Sequence, residues 1–368
     1  MASPGNVTSR DPHGSRDKAR QFIARHPLSL LIGWTVLLLC LLALTGEVLL
    51  RWATVYRIDY YTGEQVSNRL IKYPFGDMPF NSNGYPDREW DSLDPRPRVG
   101  FWGDSITSGV GAGFGYRYSD IISASRQDKY YMNFGGVGED GVADDTSIDK
   151  IIALTERFRL KKIVYAMDLN DVLPNRDARQ AAHSALYTAK PLIKKYLDVL
   201  RTRSYLYNFL RFKATIVAAR LGYGYHGDEA FELHPSRNAA VVQQTVDRIN
   251  KLWTQLQGRD VELCVVVFPY EMQISADAAE KYRRFGVQWS GEFLQGEPQG
   301  MILSRLAPGI VAVDLAPAFR VGNAQARPIG VGEYFVYDRG DALDWEHPNR
   351  AGSRLIGDYL VRKAASCL

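Results

Sequence analysis

Five short apolar segments that alternate with helical patterns constrain the fold of this chain more than any other feature. The segments are rich in valine, isoleucine and aromatic residues, as strands buried on both faces of a sheet are. Strands that alternate with helices form a parallel sheet with helices on both sides. The sequence therefore predicts an α/β protein, a three-layer α/β/α sandwich with a central parallel sheet. The predicted strands are residues 99–102, 130–134, 162–166, 261–268 and 310–315.

These strands and the helices between them predict one domain at residues 96–368. Residues 51–95 contain turn-forming pairs such as Asn83-Gly84, and we interpret them as a linker that packs onto the domain. The predicted helices lie near residues 117–126, 144–158, 184–220, 237–257, 275–287 and 350–364.

An apolar segment near the N-terminus predicts a membrane anchor at residues 28–50. Residues 28–46 hold 19 positions without a charge, and a helix needs about 20 apolar residues to cross a bilayer. Residues 1–27 carry five basic and two acidic side chains, and positive charge stays on the cytoplasmic side. We expect a single-pass protein with a basic cytoplasmic tail and a periplasmic or extracellular domain.

Two other interpretations of this segment compete with an anchor. A cleaved signal peptide has an apolar core of about 7–15 residues followed by a small-x-small site. The segment here is longer, and Ala43-Leu-Thr45 is a poor cleavage site. A buried core helix is disfavoured by the N-terminal position and the flanking arginines.

Charge and cysteine content exclude several classes of function. The formal net charge of +4 is too small to indicate nucleic-acid binding. Cys40, Cys264 and Cys367 lie far apart, with neither a CxxC pair nor the spacing of a metal site, so a disulfide framework is not expected. A single bond between Cys264 and Cys367 stays open.

The run FWGDSITSGVG at residues 101–111 is the strongest functional motif. It places Ser105 where an apolar strand breaks into a glycine-rich loop, so the hydroxyl is exposed at the edge of the sheet. The glycines let backbone N–H groups approach a substrate oxygen. This arrangement favours a nucleophilic serine, and a tight turn that merely contains Ser and Asp is the alternative.

Three further polar segments follow predicted strands or precede the last helix. Open α/β sheets bind ligands at the carboxyl ends of their strands. A glycine-rich turn starts at Asn133, Asp168-Leu-Asn170-Asp171 follows the third strand, and Asp344-Trp-Glu-His347-Pro-Asn349 comes before the last helix. Each alone is compatible with a turn, and Asn349 also suits the N-cap of that helix.

Together, and in this order, the four segments resemble the sequence blocks of the GDSL or SGNH hydrolase family of esterases and lipases. The matching residues are GDSIT, Asn133-Phe-Gly135, Leu-Asn170-Asp171 and Asp344-x-x-His347, and the resemblance covers roughly residues 96–360. It implies the flavodoxin-like form of the α/β/α sandwich. The order Ser, Asp, His is also that of α/β-hydrolases, but the chain has no GxSxG elbow.

The resemblance implies a serine esterase with a Ser-His-Asp triad. Ser105 would be the nucleophile, His347 its general base, and Asp344 the group that orients the imidazole. The oxyanion hole would consist of the N–H groups of Ser105 and Gly135 and the side-chain amide of Asn170. No metal and no organic cofactor is implied, since these groups suffice.

One residue departs from the family pattern. The third block usually begins with glycine, and Asp168 stands there instead. A carboxylate close to the oxyanion hole would oppose the developing negative charge. Either Asp168 points away and caps the following segment, or activity is low or specialised.

Residues 183–224 are predicted to form a basic helical insertion with eight basic side chains and one acidic. An ordinary solvated face is one interpretation of this charge. The other is an amphipathic element that lies on anionic lipid or holds an acidic glycan.

The sequence thus predicts a membrane-anchored serine esterase that hydrolyses O-acyl esters, above all O-acetyl esters, on an envelope carbohydrate or lipid. An O-acyltransferase would use the same site with a sugar hydroxyl as acceptor. A non-catalytic subunit that keeps the fold within an envelope acylation or assembly complex is the alternative from another class. The expected partners are the acylated substrate, the membrane and such a complex, and no nucleic acid.

Overall fold

The structure, a computed structural model, divides into two compact units, residues 1–55 and 56–368. It describes residues 27–53, 56–58, 65–67, 80–136, 141–142, 144–172, 204–207, 209–210, 214, 217, 221, 235–274, 278, 280, 290–325, 334–335 and 345–368. The predicted cytoplasmic tail, most of the basic insertion and of the helix at 275–287, and Asp344 lie outside the described residues.

The N-terminal unit contains one long apolar helix, α1 (Pro27–Ala53). Its 27 residues span about 40 Å, more than the roughly 30 Å of a bilayer's hydrocarbon core. Its apolar side chains are exposed, and Glu47 forms an ion pair with Arg51 near the C-terminal end. The helix is long and apolar enough to cross a membrane.

The second unit begins with a two-stranded antiparallel hairpin of β1 (Tyr56–Ile58) and β2 (Gln65–Ser67). The sequence did not predict it, because strands of three residues are too short to show a period-two pattern.

A five-stranded parallel sheet forms the core of this unit. Its strands are β3 (Arg98–Gly103), β4 (Tyr130–Asn133), β5 (Leu160–Met167), β6 (Glu262–Val267) and β7 (Val311–Asp314). All four pairings are parallel, and the order β4-β3-β5-β6-β7 places the strands as second, first, third, fourth and fifth. This is the flavodoxin-like order, and it confirms the predicted fold class.

Helices cover both faces of the sheet. They are α2 (Ser105–Ser108), α3 (Tyr118–Ser125), α4 (Asp145–Phe158), α5 (Ala239–Gln257), α6 (Gly291–Leu294), α7 (Glu297–Leu303), α8 (Ala316–Gln325) and α9 (Arg350–Lys363). Apolar side chains of α4 to α7 pack with Ile163 and Tyr165 of β5. Those of α3, α8 and α9 pack with Val164 and Ala166. Because alternate residues of β5 face opposite layers, the unit has three layers.

The helices α6, α7 and α8 were not predicted, and neither was α2, which stands where a loop was expected at Ser105. Gly296 and Pro298 indicate a loop, yet Pro298 lies in the first turn of α7, where its missing N–H costs nothing. Helix α8 starts directly after β7, and Oδ1 of Asp314 accepts a hydrogen bond from the Ala316 N–H at 2.8 Å.

The described part of the linker, residues 80–95, packs against the sheet unit. Asp87 forms an ion pair with the fully buried Arg117 at 3.0 Å, and its other oxygen accepts a hydrogen bond from the Asn133 N–H at 2.9 Å. The Trp90 ring lies 4.9 Å from the ring of Phe134. The linker therefore supports the carboxyl end of β4.

A disulfide bond joins Cys264 of β6 to Cys367, which settles the pairing that the sequence left open. The two Cα atoms are 5.2 Å apart, within the usual range for a disulfide, and both cysteines are buried. Cys367 follows α9, so the bond ties the far end of this helix to the middle of the sheet.

Candidate active site

The polar side chains meet where the strand order reverses. Ser105 is the first residue of α2, directly after β3, and Asn170 lies in a short 3₁₀ helix (Leu169–Val172) directly after β5. These strands are parallel neighbours, and Gly103 is in register with Ala166. The carboxyl ends of neighbouring strands on either side of a reversal form the ligand crevice of such sheets.

Ser105 is held by the caps of its short helix. Oδ1 of Asp104 accepts a hydrogen bond from the Ile106 N–H at 3.1 Å, and α2 ends at Gly109, whose φ of 104° suits glycine. The N–H of Ser105 donates to none of the described residues. This N–H therefore remains available to an oxygen atom next to the hydroxyl.

His347 reaches the same edge from the other end of the chain. Its Nε2 lies 2.8 Å from Oγ of Ser105. The carbonyl of Trp345 accepts a hydrogen bond from the N–H of Glu271, just after β6, which fixes the segment beside the sheet. Oδ1 of Asn349 accepts a hydrogen bond from the Gly352 N–H at 3.0 Å, so the predicted N-cap of α9 is confirmed.

Asn170 lies between two carboxylates. Its Nδ2 is 3.3 Å from Oδ2 of Asp104 and 3.4 Å from Oε2 of Glu346. Burial raises the pKa of the Asp104 carboxyl, and the Ile106 N–H, the charge of His347 and the Asn170 amide each oppose that rise. Asn170 is thus brought to Ser105 as predicted, with Asp104 and Glu346 as neighbours.

The loop that carries Asn170 is fixed by Asp171. Oδ2 of this residue accepts hydrogen bonds from the Tyr165 hydroxyl at 2.9 Å and from the Asp168 N–H at 3.2 Å. Burial and the Asp171 charge hold the pKa of Tyr165 well above its ordinary value, so the hydroxyl stays a donor.

The N–H of Gly135, predicted as an oxyanion donor, has a different acceptor. It donates to Oδ1 of Asn133 at 2.8 Å, and the next N–H, of Gly136, donates to the carbonyl of Gly103. A Cβ at Gly135 would lie 2.3 Å from the backbone nitrogen of Ser108. Gly135 therefore lets β4 approach α2 closely, and the Asn133 side chain holds its N–H.

The side chain of Asp168 is turned towards the segment that follows it. It is buried, and Oδ1 accepts a hydrogen bond from the Leu169 N–H at 2.6 Å. The Asp168 carboxylate thus contacts the backbone of the segment that carries Asn170.

Three neighbours of the site were missed from the sequence. Asp104 was seen only as part of the GDS motif, and Glu346 only as a spacer in Asp344-x-x-His347. The third is Arg350, whose Nε donates to the Ala112 carbonyl at 3.1 Å and whose guanidinium lies 3.4 Å from the Tyr116 ring centroid. Position in the blocks could have drawn attention to Asp104 and Glu346, but no sequence signal marks Arg350.

No protein-family model matches this chain, and no curated protein does. Solved structures do. The chain is similar to a lipolytic protein of the G-D-S-L family from Veillonella parvula, at 13% identity over 73% of this chain and 98% of that one, with a TM-score of 0.34. It is similar to an acetyl xylan esterase at 14% identity (72% and 98% covered, TM-score 0.39). A third similar structure is a catalytic mutant of an acetylxylan esterase from Geobacillus stearothermophilus. It is 12% identical over 74% of this chain and 95% of that one, with a TM-score of 0.38.

At such low identities and TM-scores the likeness has no weight for the chemistry, which rests on the geometry of the site. A hydroxyl 2.8 Å from an imidazole nitrogen can transfer its proton, and the Ser105 N–H, which has no acceptor in the part of the chain that the structure describes, can stabilise an oxyanion. No cluster of metal-binding side chains occurs among the described residues.

Proposed function

We propose that this protein is a serine esterase, anchored in a membrane by α1, that hydrolyses O-acyl esters on an envelope carbohydrate or lipid. The contact of 2.8 Å between Oγ of Ser105 and Nε2 of His347 carries this proposal. The pair lies at the edge of the sheet where a ligand crevice is expected, and the residues come from distant parts of the chain.

In the proposed reaction, His347 takes the proton of Ser105 as the oxygen attacks the ester carbonyl. The resulting oxyanion accepts hydrogen bonds from the Ser105 N–H and, once substrate is bound, from the Asn170 amide. His347 then gives the proton to the leaving alcohol, which leaves the acyl group on Ser105. A water molecule gives a proton to His347 and attacks this ester, and His347 returns the proton to Ser105 as the acid is released. Asp344 is the proposed orienter of the imidazole, three residues before it in the sequence.

Two observations support a location outside the cytoplasm. The basic N-terminal tail favours a cytoplasmic N-terminus. The bond between Cys264 and Cys367 requires a compartment in which disulfides persist, which the periplasm and the cell exterior provide and the cytosol does not.

The test is ester hydrolysis by the full chain in detergent. Turnover of p-nitrophenyl acetate is expected to fall to background in Ser105→Ala and His347→Ala. Ser125→Ala, at an exposed serine on α3, is the matched control and should retain full activity. Equal turnover by the wild type and Ser105→Ala would contradict the proposal. Adding an alcohol acceptor and measuring the transferred ester distinguishes a transferase from a hydrolase.

A further inference from the structure

The amide nitrogen of Asn170 lies between two carboxylate oxygens. A primary amide has two N–H donors. Nδ2 is 3.3 Å from Oδ2 of Asp104 and 3.4 Å from Oε2 of Glu346. An oxyanion that accepts a hydrogen bond from Asn170 therefore competes with these carboxylates for the amide.

Of the two carboxylates, Glu346 is the one that can be displaced. Asp104 is buried and is bound at the same time to the Ile106 N–H as the cap of α2. The side chain of Glu346 is 28% exposed, so its carboxylate can regain hydration when it leaves the amide, which the buried Asp104 carboxylate cannot.

Glu346 also stays close to the reacting groups when it moves. It is adjacent to His347 in the chain, and its Oε1 lies 3.8 Å from Nδ1 of that histidine. Its negative charge therefore remains beside the ester. Like charges close together in a partly desolvated site repel by an amount that changes rates measurably.

We propose that Glu346 is a specificity-determining residue whose carboxylate competes with the oxyanion for the Asn170 amide. A substrate must displace its carboxylate from Asn170, and a substrate with a negative charge near the ester meets additional repulsion. The site therefore prefers neutral acylated groups to anionic ones. This inference rests on the proposed esterase function.

The test compares Glu346→Gln with the wild type on two aryl acetates, methyl 4-acetoxybenzoate and its free acid, 4-acetoxybenzoate. They differ in one negative charge. We expect kcat/KM to rise about fivefold on the neutral ester, because a neutral amide competes less well with an oxyanion. On the anionic ester we expect a rise of about twentyfold. The discrimination between the two esters should therefore shrink about fourfold.

Glu156→Gln serves as the matched control, since Glu156 is an exposed glutamate of α4 paired with Arg259. It should change neither rate, and thermal unfolding of both variants should match the wild type. A fall or no change in kcat/KM of Glu346→Gln on the neutral ester would overturn the inference, as would unchanged discrimination. If the wild type is no faster than Ser105→Ala on either ester, the proposed function itself fails, which is a different result.

Discussion

The two halves of the candidate site are positioned in different ways. Ser105 and Asn170 directly follow neighbouring strands, so the register between β3 and β5 places them. His347 lies between α9 and residues 336–344, which the structure does not describe. Three contacts fix the position of the segment around it. They are the Asn349 cap, the contact of Arg350 with the loop after α2, and the disulfide beyond the end of α9.

This difference shows which substitutions change the reaction alone and which change the position of a catalytic side chain. A side chain on the strand-borne half can be removed without moving its backbone, because the sheet holds it. The contacts that fix the segment around His347 set the distance between His347 and Ser105. Loss of one of them therefore changes the alignment of the two side chains or the stability of the fold.

Asn170→Ala is expected to have the largest effect and to isolate the strand-borne half. Loss of one oxyanion donor lowers kcat by about 100-fold or more, while the thermal unfolding midpoint should change little. Steady-state hydrolysis of p-nitrophenyl acetate measures it. A loss of less than about threefold would show that Asn170 makes no contact with the transition state.

Replacing both Cys264 and Cys367 by alanine tests the disulfide bond, which lies farthest along the chain from His347 among the three contacts. The closed loop spans 103 residues of separation, and we expect a loss of about 3 kcal/mol in the free energy of unfolding. Urea denaturation of the full chain in detergent, with and without a reductant, measures it. The wild type should lose the same amount when reduced, and an insensitive wild type would argue against the bond.

Arg350→Ala tests the contact between the start of α9 and the loop after α2. Without the bond to the Ala112 carbonyl, the loop after α2 and the start of α9 can separate, and we expect kcat to fall about tenfold with little change in KM. Millimolar guanidinium should restore part of the rate, which a general loss of folding would not allow. Arg354→Ala, exposed on the same helix, is the control and should behave as the wild type.

Asn349→Ala should have the smallest effect. It removes the N-cap of α9 and the bond from Nδ2 to the Phe335 carbonyl. A cost of about 1 kcal/mol in the free energy of unfolding is expected. Asn349→Ser keeps a capping oxygen without a buried charge and should recover part of this cost, and an equal cost in both variants would show that the cap is unimportant.

The same division explains what could be predicted from the sequence. All five sheet strands and their parallel pairing were predicted, because buried strands leave a local pattern. The meeting of Ser105 with His347 was expected only from the resemblance of the motifs to a family, since the two residues lie far apart in the chain. The acceptor of the Gly135 N–H was not, since it depends on a rotamer of Asn133. The contacts of Glu346 and Arg350 join segments far apart in the chain, and no local pattern encodes such contacts.

Covalent labelling of the full chain with a fluorophosphonate, read by intact mass and peptide mapping, tests most directly whether His347 activates Ser105. We predict one adduct, on Ser105, absent from Ser105→Ala and formed much more slowly in His347→Ala. An adduct on another residue, or a labelling rate unaffected by the loss of His347, would contradict the claim that these two side chains form a nucleophile and its base.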